Sequence, residues 1–364
     1  MSVSYVISQL AQNQASATTL VHCGVIKIAL DLLPSTPNEA RENMWTVLVA
    51  LSQQPNFFLA LVNERSLVQE CYKEVVEGGS QQIELVAQIA FNLSLRSDLC
   101  DHLSQDLSEM YIEMLKTLFT SYGTAIKATA LNTIINYATH AAACRVPLLG
   151  FDLLTTLEDA GVEDGCMNAR YIAILNILSM EENLAIKLLD KGAQKLLVAV
   201  QGSLSVMAPF IAQVDKTKRR RGQMNLSAAT TGGPPMAIDS DLARALTAAT
   251  LHNLSLKRPV MGPGVLLTLT ALLKNCKTTR ILHVARTLAN VSTHARAKLA
   301  LAKERRLIPL LTSTMRGGCE EADRVQHYCA LTICNVLSVQ IDRPIMEELC
   351  KVNPRLEPAL RIRA

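Results

Sequence analysis

Apolar residues in this chain are spaced for helices, and no alternating stretch persists long enough to specify a strand. The segment LVHCGVIKIALDLL, Leu20 to Leu33, has a form that recurs: a turn residue, here Gly24, opens a short apolar helix. Equivalent starts fall at Ser66, Met110, Phe151, Gly192, Gly264 and Arg306, at intervals of 42, 44, 41, 41, 72 and 42 residues. A second series can be read independently from longer helices ending in a leucine-serine-like motif. It runs through Gln9, Ala50, Asn92, Asn136, Asn176, Asn253, Asn290 and Asn335, at intervals of 41, 42, 44, 40, 77, 37 and 45. Both series share one period and one long gap, which predicts a repeated helical unit with an insertion in the fifth copy. Pro34, Pro55, Pro147 and Pro259 fall between the periodic segments, where they end helices without breaking their interiors.

A period near 42 residues built from helices alone is the size of a HEAT or armadillo unit. "LVHCGVIKIALDLL…ARENMWTVLVALSQ" and "ALTAATLHNLSL" resemble the armadillo pattern, with a Gly before one helix and then a longer helix ending in Asn-Leu-Ser. The resemblance covers about residues 1–340. It implies an all-α, right-handed superhelical solenoid of about seven armadillo repeats, with the longest helix of each unit lining a concave groove. Residues 341–364 read as a C-terminal capping segment. Such a stack makes physical sense, because each hairpin has an apolar face that only its neighbours can bury.

Composition narrows the function classes. Hydrophobic residues make up 49% of the 364, charged residues 19% and aromatic residues 4%, which excludes a disordered chain. The ten cysteines show no CxxC pair, and Cys23, Cys71, Cys329 and Cys334 fall in apolar helical stretches as reduced thiols. The first residues lack the pattern of a signal peptide, so a cytoplasmic location is expected, with cytoskeletal, ciliary or nuclear placement as alternatives. Leu196 to Val214 is uncharged, but Gly202, the flanking serines and Pro209 argue against a membrane span.

No catalytic constellation emerges. The seven histidines are scattered, and His327 and Cys329, two apart on a helix, point about 200° apart and cannot share a metal. There is no GxxxxGK[ST], GxGxxG or GxSxG. The expectation is therefore a protein without enzyme activity, cofactor, metal or small-molecule substrate.

The asparagine series carries the functional expectation. An amide offers donors and an acceptor, and amides spaced along a groove can hold the backbone of an extended peptide. In groove-binding armadillo proteins such as importin-alpha and beta-catenin this position does so, and the resemblance extends that role to Asn92, Asn136, Asn176, Asn253, Asn290 and Asn335. The alternative is that the amides satisfy backbone groups at their own helix ends. Importin-alpha places a tryptophan four residues earlier; here Gln88, Asn132, Ile172, Ala249, Arg286 and Leu331 stand there, and Trp45 misses the slot. A reader of basic import signals is thereby excluded. As exposed groove amides, these asparagines are expected to contribute little to stability.

Charge supplies the sign of the partner. Residues 1–182 carry 9 Lys/Arg against 20 Asp/Glu, and residues 183–364 carry 27 against 12. A basic second half attracts acidic segments, and His283 and Arg286 are expected to add local positive charge beside Asn290. The insertion, about 215–240, contains Lys216, Lys218, Arg219, Arg220 and Arg221 before a Gly-Gly-Pro-Pro stretch, and reads as a mobile basic loop. The expected function is a scaffold that binds an extended acidic segment. The alternatives are a structural part of a cytoskeletal or axonemal assembly, or electrostatic binding of nucleic acid or a membrane surface. Val3, Val6, Ile7 and Leu10 give the first helix an apolar face, for which the expectations are an earlier stretch of chain, a covering partner, or head-to-tail self-association.

Overall fold

The computed structural model describes residues 3–76, 82–98, 108–142, 165–199, 240–257, 264–275, 279–304, 306–316 and 321–338, with isolated positions between 100 and 148. Pro147, Pro259, the basic run, most of the 196–214 stretch, the 215–240 insertion and the 341–364 segment lie outside the described residues. The described residues are helical, with no strand among them. They gather into two compact units, Met1–Thr156 and Leu157–Ala364.

The first unit contains α1 (Val3–Ala11), α2 (Gln14–His22), α3 (Val25–Leu32), α4 (Asn38–Ser52), α5 (Phe58–Asn63), α6 (Arg65–Val76), α7 (Ile83–Ser94), α8 (Ser108–Ser121) and α9 (Thr124–His140). Its longer helices pack in succession, α1 on α4, α4 on α7 and α7 on α9, while α3, α6 and α8 form a second row. Pro34 and Pro55 sit in short 3-10 turns between helices, as the punctuation predicts. Asn13 starts α2 by accepting from the Ala15 and Ser16 amides through its Oδ1, at 3.0 and 3.4 Å.

Between the rows of this unit lies the core. Trp45, Leu48 and Leu51 of α4 and Val86 and Ile89 of α7, helices that pack on each other, are all buried. The indole N–H of Trp45 donates to Glu74 Oε2 at 3.4 Å, and Arg41 lies 3.9 Å from the same oxygen. The lone tryptophan thus anchors the interior and neutralises part of the cost of a buried carboxylate. Burial, with Glu70 and Glu74 nearby, pushes the Cys71 thiol far up, which makes it inert; Cys23, by contrast, is exposed. On α1, Val3, Tyr5, Val6 and Leu10 are exposed and Ile7 is half-buried, so most of the apolar face read from the sequence is uncovered within this unit.

The second unit contains α10 (Gly165–Ser179), α11 (Glu182–Asp190), α12 (Ser240–Ser255), α13 (Val265–Asn275), α14 (Thr279–Val291), α15 (Ala295–Lys303), α16 (Leu307–Arg316) and α17 (Ala322–Leu337). Here α10 packs on α12, α12 on α14 and α14 on α17, with α13 against α16 as the other row. Ile172, Leu251, Leu254, Leu288 and Ile333 fill the core at helical spacing.

The glycines that open the apolar helices in the sequence pattern have a definite backbone reason. Gly24, Gly192 and Gly264 have φ of 77°, 84° and 85°, in the left-handed region. At Gly264 a Cβ would also come within 2.7 Å of Val198 Cγ1, whereas at Gly24 it would meet nothing within 4 Å. Gly264→Ala is therefore expected to cost more than the roughly 1–2 kcal/mol of backbone strain alone, and Gly24→Ala only that strain. Urea unfolding of the two variants checks the order, and equal losses would contradict it.

Candidate functional site

The long helices carry the asparagines of the second series on the faces by which they pack on one another. Asn92 of α7 donates through Nδ2 to Ser52 Oγ of α4 at 2.8 Å, and Asn136 of α9 donates to Ser94 Oγ of α7 at 2.9 Å. In the second unit Asn253, Asn290 and Asn335 donate to Ser179, Ser255 and Ser292, at 3.0, 3.2 and 3.0 Å. Asn176 donates in the other sense, to Thr250 Oγ1 at 3.4 Å, so that α10 and α12 share two rungs. Each serine in turn gives its own proton to a carbonyl three residues back, as Ser52 does to Val49 O at 2.8 Å and Ser255 to His252 O at 2.7 Å. Ser338, at the corresponding place on α17, accepts from Lys298 Nζ at 3.3 Å.

This arrangement corrects the expectation that the amides are spectators in folding. Nor do their Nδ2 donors cap their own helix ends; they tie successive long helices together. Asn92 and Asn176 are buried, and Asn92 Oδ1 accepts from Gln88 Nε2 at 2.8 Å. Asn136, Asn253, Asn290 and Asn335 are half-buried, and each keeps a second N–H and the amide oxygen beyond its rung.

A second constellation joins α12, α14 and α17. The rings of His252 and His283 lie 5.8 Å apart at 49°. One turn after His283, the Arg286 guanidinium lies over the Tyr328 ring, 5.3 Å from its centroid. His252 Nδ1, His283 Nδ1 and Arg286 Nε are buried with no hydrogen-bond partner among the described residues. Burial first, then the neighbouring His283 and Arg286, pushes His252 down to about 4. His283 is lowered by burial and by Arg286, against a weaker opposing pull from Glu321. Both imidazoles are therefore neutral near pH 7, so His283 does not add the positive charge expected of it; Arg286 does.

Of the candidate residues, Asn253, His283, Arg286 and Asn290 come together on α12 and α14. Asn176 and Asn335 carry rungs elsewhere in the second unit, Asn92 and Asn136 form rungs within the first, and the basic run lies outside the described residues. Sequence reading missed His252 and Tyr328. His252 immediately precedes a ladder asparagine, and Tyr328 stands seven before Asn335, as His283 stands seven before Asn290. Their adjacency depends on how the helices are rotated, which spacing alone does not reveal.

No family model matches this chain, and no curated protein matches it in sequence. Among solved structures it is similar to an engineered protein determined by the Northeast Structural Genomics Consortium. The two are 16% identical, with a TM-score of 0.61 over 92% of this chain and 74% of that one. The likeness is one of fold.

Two outcomes follow from this geometry. Asn92→Ala strands a buried hydroxyl acceptor and Gln88, and is expected to cost about 1–3 kcal/mol. In a double-mutant cycle, Ser52→Ala combined with Asn92→Ala should cost less than the sum of the two, because each alone breaks the same rung. Additive losses would dissolve the rung as an energetic unit.

The histidines set a pH dependence. Both have folded-state pKa values below the ordinary 6.5, so below that pH the unfolded chain binds more protons. Their contribution to stability is complete above about pH 6.5 and is lost as the pH falls towards 4. Thermal melts from pH 7 to 4 should show a shallower decline for His252→Gln than for the native chain, and parallel declines would contradict this.

Proposed function

We propose that the chain is an armadillo-like helical solenoid of about seven units. On this reading it acts as a non-enzymatic protein-interaction scaffold, holding an extended acidic segment along its row of long helices. The anchoring point is the Arg286 face, flanked by the free amide groups of Asn253 and Asn290. The observation that carries this is the state of Arg286: half-buried, braced on Tyr328, with Nε unsatisfied and no carboxylate in ion-pair contact among the described residues. An arginine held rigidly in partly desolvated surroundings is prepared for a bidentate carboxylate at little further cost in side-chain entropy. The charge balance supports an acidic partner, since residues 157–364 carry 28 Lys/Arg against 18 Asp/Glu. Asparagine groups left over from the ladder supply backbone contacts that do not depend on the partner's side chains.

The test uses fluorescent twelve-residue peptides in which glutamate is replaced stepwise by glutamine. Affinity for the full chain should fall with each replacement, and Arg286→Ala should weaken binding of the acidic peptide about tenfold or more. Raising salt should weaken it as well. Equal binding of the glutamine peptides, or an Arg286→Ala protein that melts normally and binds unchanged, would overturn the reading.

A further inference from the structure

Two imidazoles at van der Waals range from each other, beside a guanidinium, form an unusual group. If both were protonated, three positive charges would crowd one face, and Glu321, the carboxylate that acts on His283, lies 3.5 Å from Arg324. Left alone, the pair stays neutral. The buried Nδ1 atoms nevertheless have no partner among the described residues, so each ring has a nitrogen left unsatisfied. Glu182 of α11 pairs with Lys257 at 3.0 Å, Lys274 of α13 is exposed, and α10 brings Arg170 together with Tyr171, which burial keeps protonated. Among the described residues, His283 and Arg286 act on His252, and Arg286 and Glu321 act on His283.

A carboxylate seated against Arg286 changes the sign of that local field. It cancels the guanidinium charge that disfavours protonation, and a protonated imidazole beside it becomes a donor to the same anion. We propose that binding of an acidic segment at this face is coupled to uptake of a proton by the His252–His283 pair, so that the protein grips such a segment more tightly as the pH falls. This rests on the acidic-segment reading above. By linkage, each proton taken up on binding steepens the affinity by as much as about tenfold per pH unit. The pair thereby gives one site two strengths, a weaker grip at neutral pH through Arg286 and a stronger one in mildly acidic conditions.

The experiment uses the full chain and a fluorescent (Asp-Gly)6 peptide, whose carboxylates stay ionised across the range. Affinity is measured by anisotropy at pH 7.5, 6.5 and 5.5, and 13C-labelled histidine resonances are titrated with and without peptide. The native chain should bind about fivefold or more tightly at pH 5.5 than at 7.5. The His252 and His283 resonances should titrate at higher pH in the complex, and the His252→Gln/His283→Gln double variant should lose the slope, whatever its absolute affinity. Arg286-dependent binding that is flat with pH, or histidine titrations unmoved by the peptide, would overturn the coupling and leave the acidic-segment reading standing. Absence of binding at every pH, or binding indifferent to Arg286, would overturn both. The resonance titration of the native chain decides the matter even if the double variant fails to fold.

Discussion

A serine near the end of an α-helix can give its proton to the carbonyl one turn back and still present lone pairs to a neighbour. Ser52, Ser94, Ser179, Ser255 and Ser292 all do this, and each receives the amide of an asparagine on an adjoining long helix. Because the serine proton is already engaged with its own helix, the hydroxyl can only accept from outside. The direction of each rung is therefore set by chemistry. The partly buried interface in which it sits makes an unmade rung costly, and that cost fixes the longitudinal alignment of one long helix on another. Alignment of the long helices in turn decides which side chains of α12, α14 and α17 come level, and so brings His252, His283, Arg286 and Tyr328 to one place.

Much of this was legible in the sequence. The all-helical class and the placing of Gly24, Gly192 and Gly264 before apolar helices follow from spacing and residue type. The serine two or three residues after an asparagine was equally visible, as in Asn92 with Ser94 or Asn176 with Ser179. What could not be read was its partner. A rung joins atoms 35 to 74 residues apart, and only the packed helices reveal that the amide faces the previous hydroxyl and not open solvent. The charge state of His283 was hidden for the same reason. Residue type says that a histidine near a lysine- and arginine-rich surface adds positive charge, yet its ionisation depends on burial and on Arg286, which are three-dimensional facts.

The electrostatics of the second unit divide between two kinds of cation. Lys257 is matched to Glu182 and Arg324 to Glu321, pairs that contribute little to stability at an exposed surface. Arg286 is different: its neighbours are a phenol ring and two neutral imidazoles, none of which discharges it. Folding tolerates this arrangement because the guanidinium is only partly withdrawn from water and its flat face is occupied by Tyr328. Among the described residues, Arg286 is thus a half-buried cation whose charge no carboxylate in ion-pair contact meets.

The ladder has a further property that follows from its uniformity. Every backward rung has the same donor, the same acceptor and nearly the same length, from 2.8 to 3.2 Å. Such a joint specifies how two helices align but carries no label saying which two should meet. Neighbour identity must be written elsewhere, in shape-bearing residues that occur once, such as Trp45 with its glutamate or the forward bond from Asn176 to Thr250. During folding, a hairpin can therefore dock on the wrong predecessor with its hydrogen bonds intact, a degeneracy that only the packing around these singular residues removes.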